Sequence, residues 1–233
     1  MIIGRELRLR LLGRFRLTHR DGTNIELPSA TQKLVAYVAL TRSVHRATAA
    51  DLLWPDRDER RSRGNLRSAV WRSTQTVPGL LSCDQEWLTI GPDVCIDHRV
   101  ALAVAGRLRD DGSATDEVDR SAFEADLLND WYDDWVAFER ERFRQIRLHA
   151  LELLAERFIG AGRHSEAIEA GLVAVAAEPL RETAHAVVIR AHLAEGNVGE
   201  ARRHYRRLCE ILATELGTLP TARTRAMLDV IGR

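Results

Sequence analysis

Lysine is almost missing from this chain: Lys33 is the only one among 34 Lys+Arg residues. Its positive charge is therefore arginine charge, a skew that fits high-GC coding rather than a mechanism. Cysteine is scarce too. Cys83, Cys95 and Cys209 are odd in number and show no C-x-x-C spacing, which speaks against a disulfide framework and for reduced thiols in a cytoplasm. No stretch reaches the roughly 18 apolar residues of a membrane span, and the start MIIGRELRLRLLGRF lacks the apolar run of a signal peptide. A cytoplasmic protein with no membrane partner is expected. Also absent are a G-x-x-x-x-G-K-S/T phosphate loop and any Ser-His-Asp, H-E-x-x-H or paired-cysteine constellation. Neither an enzyme nor a cofactor is implied, ATP included.

What is present suffices for a proper core: 45% of the 233 residues are hydrophobic, enough for one large or two small domains. The net charge of zero hides an asymmetry. Residues 1–100 carry 16 Lys+Arg against 11 Asp+Glu, or +5, and residues 101–233 carry 18 against 23, or −5. A basic front suggests that only this part meets a polyanion.

The last third contains a self-match at an offset of 34 residues. AGRHSEA (161–167) returns as EGNVGEA (195–201), so that Gly162, Glu166 and Ala167 align with Gly196, Glu200 and Ala201. That is the period of the tetratricopeptide helix-turn-helix unit. Gly162, Ala167, Ala174 and Pro179 fall at the spacing of such units: small residues let paired helices approach, and the proline should end the second helix. The surface such units offer is a concave groove, a place for a partner helix, a second protomer or a small effector. His185 and His192 lie seven apart, but no third ligand is placed near them, so a metal is not expected.

In the front, LRLRLLG (7–13) alternates as a half-buried strand, and FRLT (15–18) and NIEL (24–27) follow around an Asp21-Gly22 turn. A helix with Ser29 as N-cap carries Leu34, Val35, Val38 and Leu40. A second, capped by Thr48, ends before Pro55. After a charged loop, DRDERR (56–61), a third helix spans Ser62 to Val77. LLSC (80–83) and EWLTI (86–90) then form a hairpin. Three helices and a terminal hairpin make a winged helix-turn-helix.

On a helical wheel of about 100° per residue, Leu66, Ala69, Val70, Ser73 and Val77 of the third helix face the core. Gly64, Ser68, Trp71 and Gln75 lie opposite, with Arg67 and Arg72 on the flanks. Such a face suits a major groove, where Arg reaches guanine or phosphate and Gln reaches adenine. A plain alternative is that Trp71 packs on a neighbouring domain and the arginines are merely solvated.

Read together, these residues resemble the SARP-type antibiotic regulatory proteins of actinobacteria, which join a winged helix to a bacterial transcriptional activator domain. The matching pieces are LRLRLLGRFRL, ADLLWPDRDERRSRGNLRSAVWR, WLTIGPDVCID, DLLNDWYDDWVAFERERFRQIRLHALELLAERF and the final run EPLRETAH…ELGTLP. The implied architecture is an α+β winged helix-turn-helix over residues 1–98, followed by an all-α, tetratricopeptide-like activator domain over 99–233. The implied function is sequence-specific binding to double-stranded DNA at direct repeats near promoters of a secondary-metabolite gene cluster, by head-to-tail pairs that recruit RNA polymerase. Arg63, Asn65, Arg67, Ser68, Trp71, Arg72 and Gln75 would contact DNA; Asp56, Arg57, Asp58, Glu59 and Arg60 match the loop that touches polymerase.

The chain also departs from the family pattern. Ser73-Thr74 stands where an apolar and a basic residue are usual, which implies weaker packing and a lost phosphate contact. The wing turn Asp84-Gln85-Glu86 is acidic. Many relatives carry a nucleotide-hydrolysing domain after the activator domain, whereas this chain stops at Arg233. An adaptor or effector-sensing helical-repeat protein that does not itself bind DNA is the alternative. In the rear, a helix is expected over 99–111, with a loop at Gly112-Ser113, and a long amphipathic helix over 133–159. Trp131, Tyr132 and Trp135 are expected in core packing between domains, with an aromatic ligand cage as the other possibility.

Overall fold

Leu7 and Leu9 point inward and Arg8 and Arg10 outward along the first strand, as their alternation requires. A computed structural model describes residues 7–110 and 120–229 of the chain; the loop expected at Gly112-Ser113 lies outside them. The chain divides into two compact units, Met1–Ala101 with Ala125–Phe143, and Leu102–Glu124 with Arg144–Arg233.

The first unit begins with β1 (Leu7–Arg10), β2 (Arg16–His19) and β3 (Asn24–Ile25), followed by α1 (Ser29–Thr41). Next come β4 (Ser43–His45), α2 (Arg46–Leu53), α3 (Glu59–Thr76), β5 (Leu81–Cys83), β6 (Trp87–Ile90) and β7 (Val94–Ile96). One sheet has the order β3-β2-β1-β7. In it Leu9 faces Leu17 on an antiparallel neighbour and Ile96 on a parallel one. The second sheet, β4-β6-β5, is the wing. Its β4 strand is only three residues long and was not expected.

Helix α4 (Asp97–Asp110) opens with a carboxylate that fastens it to the first sheet. Asp97 accepts N–H bonds from Leu11 at 2.8 Å, Leu12 at 3.1 Å and His98 at 2.7 Å. Burial pushes its pKa up despite those three donors, which pull the other way. Nearby, the ring of buried His98 lies 5.1 Å from that of Phe143.

Three helix starts differ from the pattern-based expectation. Pro28, not Ser29, occupies the cap position of α1; its carbonyl accepts from Thr31 and Gln32, so Ser29 is already helical. Helix α2 begins at Arg46, with His45 Nδ1 accepting from the Ala47 N–H, so Thr48 is inside it. Helix α3 begins at Glu59, three residues before Ser62, because the Asp58 carboxylate caps it by accepting from the Arg61 N–H at 2.9 Å.

Residues 125–143 pack with this first unit. The Gly13 N–H donates to the Asp126 carbonyl and the Leu128 N–H to the Leu11 carbonyl. Trp131 stacks on Phe15 at 5.9 Å and Trp135 meets Tyr37 edge-on at 5.2 Å. Tyr132 departs from the expected core packing: it is 91% exposed.

The second unit carries most of α5 (Asp134–Gly160), then α6 (His164–Ala177), α7 (Glu182–Ala194), α8 (Val198–Leu216) and α9 (Ala222–Asp229). The 34-residue self-match is visible atom by atom. Gly162 and Gly196 both adopt positive φ, +72° and +83°, which glycine tolerates without strain. The Arg163 N–H donates to Phe158, and the Asn197 N–H to His192, each at 2.8 Å. These bonds close the last turn of the preceding helix in the same way in both copies. Gly171 lets α6 lie directly on α7, since a Cβ there would fall 2.6 Å from Val188 Cγ2. Buried Arg147 donates to the carbonyls of Phe123 and Glu124, tying α5 to the short 3-10 turn Arg120–Phe123. The expected order, an α+β winged helix and then an all-α helical domain, is the one observed.

Candidate nucleic-acid interface

Helix α3 sorts its residues as its periodicity dictates. Ser62, Leu66, Ala69 and Ser73 are buried, and Arg63, Arg67, Ser68, Trp71, Arg72 and Gln75 are exposed. Asn65 and Gly64 are half-buried at the edge, as is Val70, which the wheel assigns to the core. Trp71 is 62% exposed. The indole therefore lies at the surface of α3, flanked by Arg67 and Arg72.

The cations are not equivalent. Arg63 pairs with Glu59 one turn earlier, whereas Arg67 and Arg72 have no ion pair among the described residues. Thr74, in the place of a usual basic residue, turns its hydroxyl back to the carbonyls of Val70 and Trp71. Ser73 is wholly buried, and its Oγ has no hydrogen-bond partner among the described residues. The two-residue departure thus has a visible cost on both faces of the helix.

Asp56, Arg57, Asp58, Glu59 and Arg60 are all exposed beside the start of α3. They do not form one loop. Asp56 and Arg57 follow Pro55 in a turn, Asp58 is the cap, and Glu59 and Arg60 belong to the first helical turn. Arg60 lies with Arg63 and Arg67 around a shallow depression.

A second groove, of about 230 Å³, runs between α3 and the wing. Arg63, Leu66 and Arg67 supply one wall, His45 and Arg46 another, and Gln85 and Glu86 the third. The Arg46 N–H donates to the Glu86 carbonyl at 2.8 Å, and its guanidinium reaches Cys83 Sγ at 2.8 Å. His45 and Arg46 were not flagged from sequence. They sit about 20 residues before the arginines they face, and nothing local in SVHRATA marks them.

Of the other residues singled out, His185 and His192 do not act together. His185 donates from Nε2 to the Pro179 carbonyl at 2.9 Å, which leaves Nδ1 to accept from His204 Nε2 at 3.0 Å. Among the described residues, no cluster of three or more His, Cys, Asp or Glu is placed to hold a metal, and no helix is long and apolar enough to cross a membrane.

The fold defines a winged helix-turn-helix protein with an appended helical domain. Residues 101–231 match the family described as bacterial transcriptional activator domain. The regulatory protein AfsR of Streptomyces coelicolor is 29% identical over 234 residues, covering 92% of this chain and 23% of that protein. Mycobacterium tuberculosis EmbR, solved in complex with a low-affinity phosphopeptide, shares the fold with a TM-score of 0.74 at 22% identity, over 98% of this chain and 65% of that one. The chain thus spans only part of both relatives. It belongs to the bacterial transcriptional activator domain family.

Proposed function

We propose that this chain is a sequence-specific, DNA-binding transcriptional activator. The observation that carries this proposal is the outer face of α3, where Arg67, Trp71, Arg72 and Gln75 are all exposed and the two arginines have no ion pair among the described residues. In this scheme Arg67 and Arg72 reach guanine or phosphate, Gln75 reads adenine, and Trp71 packs on sugar or a thymine methyl. Arg63, Asn65 and Ser68 complete the contact, with the Glu59 pair orienting Arg63.

Residues 1–98 act as the DNA-binding part and 99–233 as the activating part. This functional division differs from the packing units, because 125–143 pack with the front. Asp56 to Arg60 offer an exposed, mixed-charge surface for RNA polymerase. Two chains bind head-to-tail on direct repeats spaced about one helical turn apart, so that both face one side of the duplex. The targets are promoters of a secondary-metabolite cluster, the protein works in the cytoplasm, and it needs no catalysis or cofactor. Likeness to a Streptomyces regulator supports this assignment.

Arg67→Ala with Arg72→Ala tests it in a mobility-shift assay on DNA from the promoter region of the chain's own gene neighbourhood. Both side chains are exposed, so folding should be unaffected and the specific complex lost. Unchanged affinity for the target would exclude α3 as the reading element. The exposed acid of Asp84 and Glu86 on the wing favours a second assignment, an adaptor that binds no DNA. It predicts no complex even with the wild-type chain.

A further inference from the structure

The second unit contains a groove of about 680 Å³, formed entirely by its own residues on α4, α5 and α7. Its floor is aliphatic: Leu102, Ala105, Ile146, Ala150, Leu153 and Val187. Leu153 remains 39% exposed, so part of that floor faces water. The volume falls in the range of sites that take drug-sized organic molecules.

The rim narrows the chemistry. Glu152 is satisfied within the unit: Arg181 donates to it from Nε at 2.6 Å and from a terminal nitrogen at 3.0 Å, and the Thr183 hydroxyl donates at 2.6 Å. Those bonds hold its pKa down against the burial that would raise it. Glu156 is paired with Arg190. Both carboxylates thus already have cationic partners within the unit. Arg190 lines the same groove with its side chain 33% exposed, and its Nε has no hydrogen-bond partner among the described residues. On the same side of α5, His149 donates from Nδ1 to the Gln145 carbonyl. A partner helix would bring its own polar face to a rim already paired.

We infer that this groove binds one small organic molecule, with an aliphatic or alicyclic body on the floor and a single acidic or carbonyl oxygen at the Arg190 side of the rim. The helical part of the chain then carries an effector site independent of α3.

The probe is 8-anilinonaphthalene-1-sulfonate, an apolar body with one anionic head, titrated into the full chain by fluorescence and calorimetry. Saturable binding at one per chain is expected. Gly106 lines the groove on α4, and a Cβ added there meets nothing within 4 Å. Gly106→Leu therefore fills the groove while improving helix propensity, and should weaken the dye by about tenfold or more. Gly199→Leu, equally open but on α8 outside the groove, is the control and should leave binding unchanged. Arg190→Met should weaken the sulfonate dye but not N-phenyl-1-naphthylamine, the same body without the anion. Dye binding that is absent, non-saturable or indifferent to Gly106→Leu would overturn the site. So would a Gly106→Leu effect on self-association in sedimentation without an effect on the dye, which would make the occupant a second copy. No readout involves DNA, so the site and the DNA-binding assignment fail separately.

Discussion

Ser73 illustrates how one residue can weaken a helix without touching its outer face. Its hydroxyl is buried and has no partner among the described residues, and a stranded buried polar group costs about 1–3 kcal/mol. Ser73→Ala removes the oxygen at nearly constant shape. It should raise stability in urea by about 1 kcal/mol while leaving DNA affinity unchanged, since the side chain points inward. A loss of stability would mean that the hydroxyl has a partner after all. His98 makes the pH dependence specific. Burial lowers its pKa from 6.5 to about 4, and the neighbouring Arg142, Arg99 and Arg42 add repulsion. The unfolded chain therefore takes up this proton before the folded one does. The contribution is complete above pH 6.5 and is lost as pH falls towards 4, by about 3 kcal/mol in total. Urea melts at pH 7.5 and 4.5 should show a smaller loss for His98→Leu than for wild type; equal losses would refute the assignment.

At the scale of elements, the contact of α6 with α7 depends on Gly171. The nearest obstacle to a Cβ is the buried, β-branched Val188, whose rotamer is restricted in a helix. Gly171→Ala should cost about 1–3 kcal/mol in a thermal or urea melt, overriding alanine's better helix propensity. Gly160→Ala, with open space at its Cβ, should not. Much of this architecture was legible from residue order. Leu7 and Leu9 announce a strand, Leu66 and Ala69 a helix face, and Gly162 and Gly196 a repeated turn, because each pattern is local and periodic. What escaped was non-local or short. The parallel pairing of β1 with β7 joins Leu9 to Ile96 across most of the front unit, and β4 has too few residues to alternate. The start of α3 was hidden because Asp58 lies in a run of charges where any acid could cap. At the candidate interface, the face of Arg67, Trp71, Arg72 and Gln75 followed from the 3.6-residue period. The Arg46–Glu86 wall did not, since it is made by tertiary pairing.

For the whole molecule, net charge is zero and the positive excess of residues 1–100 is only +5, so a hold on DNA should rest mainly on a few placed cations. Arg63, Arg67 and Arg72 are the candidates on α3, and the acidic wing adds none. Three phosphate contacts give a plot of log affinity against log salt with a slope of about −3 per protomer. Between 50 and 200 mM salt that is a loss of about 40-fold, smaller than for strongly basic binders.

The most direct measurement is a fluorescence-anisotropy titration of promoter DNA at those two salt concentrations, with competitor DNA present, for wild type and the Arg67→Ala, Arg72→Ala double variant. Competitor-resistant binding that weakens with the stated slope, and a slope reduced by about two in the variant, is the predicted result. Wild-type binding with no dependence on salt, or a variant with the same slope and affinity, would contradict DNA recognition by the outer face of α3.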